Sequence, residues 1–460
     1  MTIDNLAAEF RVKLSDTIAA SSPTGASGAA GPPATSGSAA PSGSASAFPP
    51  PDIWSIPGFR AFMLSMISVT LANQIQGTVV AYQIYELTRD PLSLGAVGLA
   101  EALPFIALAL VGGHVADARD RRRVSLAVLY VMLVASASLL FFTLSRDALS
   151  AVQHKFAIYS VIVVLGVCRS FLQPARAALN AELLPPSLYA KAIALRTSLF
   201  QLAMVCGPAG GGLLYAAVGP QGAYISAGLL LVVASVAMYR VPKRRAMPVA
   251  RAAVSMAHSI REGFSYLASD RLLLSALLLD LFGVLFGGAT ALLPVFANEV
   301  LAVGSRGFGV LRAAPAVGAL AASVFLAARA PLKRAGRTLL ASTAGFGLAM
   351  IAFAVSKNFL LSIGLLALSG ALDMVSIVVR STLLQLRVPG RLLGRVASIN
   401  QIFIGSSNEI GAFESGVAAR LLGVIPSVIF GGGMTLLVTG ITGFRGPELR
   451  RLGRLDQVSK

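Results

Sequence analysis

Charge is scarce in this chain. Asp, Glu, Lys and Arg together make up 13% of 460 residues, where an ordinary soluble protein carries roughly 25%. A water-soluble globule of this length needs more charge to cover its surface, which argues against a soluble enzyme. Cysteine occurs twice, as Cys168 and Cys206, both within apolar runs, so no structural disulfide is expected. Histidine occurs three times, at His114, His154 and His258, scattered over span ends and loops. No Cys/His spacing suits a metal, and no Gly-Lys-Ser/Thr loop could cradle phosphate. No cofactor and no ATP drive are therefore expected. Residues 17–51 hold no Asp, Glu, Lys or Arg and consist mostly of Ala, Ser, Gly, Pro and Thr. Such a stretch cannot bury enough apolar area to offset its ordering entropy, so 1–56 reads as a disordered tail. It lacks the basic lead and Leu-rich core of a secretory signal.

What the chain does have is apolar length. Hydrophobic residues make up 55%, and the mean hydropathy is +0.76. A membrane span takes ~20 apolar residues, so the chain has room for about twelve. Runs between Gly, Pro and charge breaks fall at 58–87, 91–115, 122–144, 155–183, 188–217 and 222–240. Six more fall at 271–300, 305–328, 336–356, 359–387, 391–420 and 425–443. The expected fold is all-α: twelve transmembrane helices in two pseudo-symmetric bundles of six, 57–240 and 271–443.

Lys and Arg exceed Asp and Glu, 38 against 20, and their placement is uneven. Loops after odd-numbered spans carry only Arg89, Arg146, Lys155, Arg306 and Lys357. Most of the rest lie in loops after even-numbered spans and in the tail 444–460. By the positive-inside rule that set is cytoplasmic, with both termini. The charge excess is thus a topology signal in a multi-pass cell-membrane protein (the inner membrane if the cell is Gram-negative), and no nucleic-acid partner is expected. Residues 241–270 begin with Lys243, Arg244 and Arg245, then place Ile260, Phe264 and Leu267 at helical spacing. A short helix lying on the cytoplasmic membrane face is expected there.

The halves also repeat. Residues 166–212 fall on 370–416 without a gap, matching Gly166 to Gly370, Arg176 to Arg380, Pro185 to Pro389, Lys191 to Arg395 and Gly207 to Gly411. A second match sets Gly98, Glu101 and Pro104 on Gly309, Arg312 and Pro315. Repeats of this kind mark transporters that rock one half against the other around a central site.

The loop between spans two and three reads Gly113-His-Val-Ala-Asp117-Ala-Arg119-Asp120-Arg121-Arg122-Arg123. It resembles the major facilitator superfamily signature, G-x-x-x-D-R-x-G-R-R. Gly113, Asp117, Arg121 and Arg122 match it; Ala118 and Asp120 depart from it. Gly113 would let two helices approach closely. Asp117 would latch onto a helix N-terminus or an Arg in one conformation only. The basic run could also serve purely as a membrane anchor. Tyr85 to Thr88, Gly98 to Pro104, Arg169 to Arg176 and Arg261 to Phe264 resemble the branch of the superfamily that holds the enterobactin exporter and drug efflux proteins. The resemblance implies a twelve-helix fold, alternating access, a pore lined by spans one, four, seven and ten, and exchange of protons for a small organic substrate. A monomer is expected.

A charge at mid-span costs ~2.5–3.5 kcal/mol or more, so each needs a partner, a wet cavity or a function. Span four places Arg169, Gln173, Arg176 and Asn180 on one helix face. Span ten carries Asp373, Ser376 and Arg380, with Asp373 at the repeat position of Arg169. These groups either pair across the pore or form separate structural pairs such as Asp373 with Arg380. Asn73, Gln76 and Gln83 on span one, and Asn400, Ser407, Asn408, Glu414 and Ser415 on span eleven, are cavity candidates or interhelical glue; Glu409 falls on the opposite side of span eleven. The carboxyls able to couple a proton are Asp280, Asp373, Glu101 and Glu414. Asp280 and Asp373 are favoured, Asp280 because its surroundings are apolar with no basic partner in sequence.

The function expected is proton-coupled efflux of a small organic compound such as a drug or siderophore. An uptake symporter or lipid flippase of the same fold is the nearest alternative. An intramembrane prenyltransferase built on Asp117-x-x-Asp120, or a non-transporting sensor, is more distant. The prenyltransferase would need a second acidic cluster to hold magnesium, which no other cytoplasmic loop supplies, so no enzymatic activity is expected.

Overall fold

Capping residues decide where each apolar rod begins. The computed structural model describes residues 53–184, 188–243, 256–328 and 334–453. Helix α1 (Phe59–Thr88) turns into α2 (Pro91–Ala118) through Arg89 and Asp90. The Asp90 carboxylate accepts hydrogen bonds from the backbone N–H groups of Leu92 and Ser93, satisfying donors that a helix start leaves orphaned. Asp120 does the same for α3 (Arg121–Leu144), accepting from Arg122 and Arg123. That cap occupies the carboxylate which, in sequence, stood where the family has glycine. Ser150 and Gln153 form a reciprocal capping box at the start of α4 (Ala151–Leu183).

Residues Tyr189–Tyr239 run as one helix interrupted at Gly219, whose φ of 71° lies where side chains are disfavoured. Pro220 follows and cannot donate to the turn before it. The break divides α5 (189–218) from α6 (220–239). Then come α7 (Met256–Ser269), α8 (Arg271–Gly287), α9 (Gly304–Ala327), α10 (Ala335–Val355), α11 (Phe359–Arg387), α12 (Gly390–Leu422), α13 (Val424–Arg445) and the short α14 (Pro447–Arg451). Among the described residues nine stretches are long and apolar enough to cross a membrane, and one of these, Leu195–Tyr239, holds both α5 and α6. Helices α1 and α12 are equally long but richer in polar residues. They complete twelve crossings, α1–α6 and α8–α13.

The seventh span is not the straight rod expected over 271–300. Helix α8 stops at Gly287, and the chain continues through a tight turn (Ala289–Leu292), one helical turn (Leu293–Val295) and a wide π turn (Phe296–Val300). Adjacent Gly287 and Gly288 weaken the helix and Pro294 lacks its N–H, so the ladder cannot run through. At the other end of the chain, Ile53 is 1% exposed. Packing thus starts ahead of Pro57, within the stretch expected to be tail. The rest of that tail, Arg244 and Arg245, and residues 454–460 lie outside the described residues.

Helix α7 sits against the second half. Glu262 pairs with Arg395, Asp270 with Arg387 at 3.1 Å, and the Tyr266 hydroxyl donates to the Arg387 carbonyl. Leu267 is buried and Phe264 is 54% exposed, so α7 turns one apolar edge inward and one outward. We refer to the end of the molecule carrying α7 and the α2–α3 loop as the basic end, and to the opposite end, with Asp90, as the far end.

Two seams join the halves. In one, α2 meets α12: a Cβ on Gly95 would lie 2.8 Å from the Ala412 carbonyl, and one on Gly98 3.0 Å from the Ala412 Cβ. In the other, α5 meets α9: a Cβ on Gly212 would sit 2.6 Å from the Gly309 Cα. The repeat relates the seams, since Gly98 matches Gly309. Small residues let the backbones touch, which is how membrane helices gain packing without a hydrophobic driving force. At the far end an apolar plug spans both halves, with Ala81 and Tyr82 against Phe296, Phe308 and Leu311. The Tyr82 ring stacks on Phe308 at 5.5 Å.

Gly309→Val should force the α5–α9 seam apart, because backbone rather than a pliable side chain meets the new methyls. With cysteines replacing Tyr82 and Asn298, oxidative cross-linking across the far end should fall severalfold in that background. Unchanged cross-linking would show that the seam does not control closure.

Candidate transport site

Among the described residues, three groups of charges lie inside the bundle, and they differ in balance. The first straddles the α2–α12 seam. Arg169 of α4 donates to Glu101 of α2 at 3.0 Å and to Glu409 of α12 at 3.1 Å, and its guanidinium also lies 4.8 Å from the Phe105 ring centre. Arg312 of α9 feels the charge of both carboxylates and reaches α1 beside Gly77. Two acids and two bases thus meet where the halves touch. Of the two readings open for these charges, a pair across the pore or separate pairs, the structure gives Arg169 to Glu101 and Glu409 and not to Asp373. Glu409 was set aside as facing away, yet it is the residue that carries the contact across the seam. A signal was present in sequence: Gly405, Glu409, Ala412 and Gly416 share one helix face, so the small residues marked a face packed on another helix.

The second group is inside the second half. Asp280 of α8 and Arg380 of α11 form an ion pair at 2.5 Å, with side chains 8% and 5% exposed. Asp280 therefore does have a basic partner, supplied by a helix far from it in sequence. Asp373 lies two turns back on α11, close enough to interact with both groups through its charge. Asp280 and Asp373 line one small cavity, together with Gly283, Ser342, Thr343 and Ser376. Two carboxyls therefore bear on a single guanidinium.

The third group is in the first half. Arg176 of α4 donates to the Met66 carbonyl of α1 at 3.3 Å. Its Nε is buried without a partner, as is Oδ1 of Asn180 one turn on. Gln173, on the same face, is exposed.

The polar residues of α1 divide. Asn73 is exposed; Gln76 is 2% exposed, with both amide atoms unpartnered. Gln83 turns into the first half, bonding Thr143, Tyr224 and, at 3.4 Å, His154. It is interhelical glue rather than part of a cavity. On α12, Asn408 is exposed and donates back to the Ile404 carbonyl, Asn400 is half-buried, Ser407 is buried, and Ser415 donates to the Gly288 carbonyl. Glu414 is half-buried and has no ion pair among the described residues.

In the signature loop, Arg121 pairs with Glu182 of α4, and Arg122 donates to the Met238 and Tyr239 carbonyls that end α6. Cations at a helix C-terminus satisfy its orphan carbonyls and its dipole. A close approach is made at Gly112, beside Gly113: a Cβ on Gly112 would run into the Ser170 carbonyl of α4. The side chain of Asp117 lies outside the described residues.

Further contacts join the halves at the far end. The Tyr82 hydroxyl donates to Asn298 at 2.8 Å and the Tyr85 hydroxyl to Glu299 at 2.6 Å, while Arg420 lies 3.8 Å from Asp90. Sequence spacing held no sign of this set, because it is assembled from residues on four separate segments.

Comparison with known proteins agrees with this geometry. Residues 62–412 match the model of the Major Facilitator Superfamily. The chain is 26% identical over 386 residues to the enterobactin exporter EntS of Shigella flexneri, covering 84% of this chain and 90% of that one. It is also 26% identical to EntS of Salmonella typhi over 405 residues, 88% and 95% of the two chains. Among solved structures, a point mutant of the nucleoside transporter NupG superposes with a TM-score of 0.66 at 13% identity, covering 85% of this chain and 99% of its own. A bacterial homologue of the iron transporter ferroportin, in an inward-facing state, superposes with 0.65 at 16% identity, covering 85% and 98%. With twelve crossings in two repeated halves, charge clusters inside the bundle and a family match over most of its length, the chain belongs to the Major Facilitator Superfamily of membrane transporters.

Proposed function

We propose that the protein is a proton-coupled exporter of a small organic compound, working as a monomer in the cell membrane with both termini in the cytoplasm. One observation carries the coupling: Asp373 lines the same small cavity as the Asp280–Arg380 ion pair, which leaves one carboxyl in excess there. An unmatched carboxylate in a low-dielectric site is costly, and a single proton cancels it. Export is favoured over uptake because the relatives at 26% identity are named as exporters.

The cycle follows from where the halves touch. The positive-inside rule puts the basic end in the cytoplasm, so the Tyr82–Asn298, Tyr85–Glu299 and Asp90–Arg420 contacts close the outer face. The described arrangement is the inward-facing one. The neutral cluster of Glu101, Arg169, Arg312 and Glu409 holds the α2–α12 seam. Rocking outward breaks Arg169 from Glu409 and lets the excess carboxyl load a proton from outside. Return to the inward-facing arrangement delivers that proton to the cytoplasm, and the site takes up substrate. The Asp117 loop would latch the opposite, outward-facing arrangement.

Proteoliposomes with an imposed pH gradient test this, using compounds to which a deletion strain is sensitive. An acid lumen should drive compound into the lumen of inside-out vesicles as protons leave. Movement of compound and protons in the same direction would make the protein a symporter.

Asp373→Asn should abolish gradient-driven movement while leaving the melting temperature near that of the parent. Asp280→Asn should lose transport and also lose stability, because it strips Arg380 of its closest partner; breaking a buried pair costs ~3–5 kcal/mol. Normal pumping by both variants would overturn the coupling site. Asp117→Ala should slow turnover without weakening substrate binding, as measured by comparing transport rate with equilibrium binding.

A further inference from the structure

The repeat sets Arg176 of α4 on Arg380 of α11, and the two equivalent cations are treated differently. Arg380 meets a carboxylate, Asp280, on the first helix of its half. Arg176 turns to the first helix of its own half, α1, and finds only the Met66 carbonyl at 3.3 Å. The whole of α1 contains one acid, Glu86, at the far end. The other charge that bears on Arg176 is a second cation, Arg196 of α5. No ion pair joins either arginine to an acid among the described residues. Beside Arg176, its own Nε and the Asn180 Oδ1 are buried and unpartnered.

A guanidinium out of bulk water without a counter-charge is too costly to be kept as mere packing. The face it stands on is the one that meets the opposite half, since Arg169 on that face reaches Glu409 across the seam. Gln173, between the two arginines, is exposed. The missing carboxylate therefore has a place to arrive from.

We propose that Arg176, with Arg196, Asn180 and Gln173, forms an anion subsite, and that the exported compound carries a carboxylate or similar organic anion which takes the part that Asp280 plays for Arg380. Arg guanidinium suits this through its paired, planar donors, and the Asn180 side chain can turn its amide N–H₂ toward the same oxygen. The inference rests on the reading of the chain as a transporter of a small organic compound, and adds the charge of that compound.

The test uses the full chain with Cys206→Ser and Gln173→Cys, reconstituted in liposomes. The introduced thiol is titrated with a sulfonate-bearing and a trimethylammonium-bearing methanethiosulfonate of similar size. The anionic reagent should react faster relative to the cationic one than it does with a free thiol in solution. Arg176→Gln should lower that preference by about tenfold, the size expected of one nearby charge in a partly wet site. Arg176→Lys should keep most of it, which separates lost charge from lost structure. Benzoate should slow modification and benzamide should not. A cationic preference, a ratio unmoved by Arg176→Gln, failure of benzoate to protect, or equal protection by benzamide would each overturn the proposal. The readout needs no transport, so failure of the pH-gradient experiment and failure of this one are separate results.

Discussion

A charged side chain within the hydrocarbon layer must find its opposite, water or a proton, and this constraint organises the interior of the protein. The seam cluster is balanced, with Glu101 and Glu409 against Arg169 and Arg312. The second half carries one carboxyl too many around Arg380. The first half carries Arg176, which pairs with no acid among the described residues. A balanced set can hold two surfaces together and needs nothing from outside. An unbalanced set is left to water, a proton or a solute. In the proposed cycle the proton is assigned to the second half and the solute anion to the first, with the cluster whose charges cancel between them.

The seam gains from being the place where backbones are closest. Glycines at 95, 98, 212 and 309 bring α2 to α12 and α5 to α9 within contact of main-chain atoms. Dispersion over such an interface is substantial while it is shut, and it vanishes over a short separation. Together with the Arg169 bridges, this gives the two halves a shut position that is sharply defined rather than soft. The plug of Tyr82, Phe296 and Phe308 adds apolar burial at the far end, and the irregular turns between Gly287 and Val300 place Phe296, Asn298 and Glu299 where a straight helix would not. The break in the seventh span is thus tied to closure: it presents two acceptors to the hydroxyls of Tyr82 and Tyr85.

The signature loop shows how one short motif can serve two kinds of end. Arg122 finishes α6 by bonding its last carbonyls, and Asp120 begins α3 by accepting from its first N–H groups. The departure from the family glycine at that position is compensated locally, since an aspartate makes a better helix start than a glycine. Arg121 ties the loop to Glu182 of α4.

Much of the architecture was legible in the order of residues alone. Apolar length, turn residues and basic loops specify twelve rods, their ends to within a few residues and the division into repeated halves, because these depend on local chemistry and on the bilayer's thickness. The repeat even exposed the inverted charges at Glu101 and Arg312. What sequence could not decide was who meets whom. Pseudo-symmetry sets Arg169 and Asp373 at equivalent depths without deciding between a pair across the pore and separate pairs, and no base lies near Asp280 along the chain; the folded protein gives Arg169 to Glu101 and Glu409, and Asp280 to Arg380. Pairing between helices depends on which faces turn toward each other. In a membrane that is decided by small residues and by backbone contact across the bundle, a property of the assembled rods that no single stretch of chain contains.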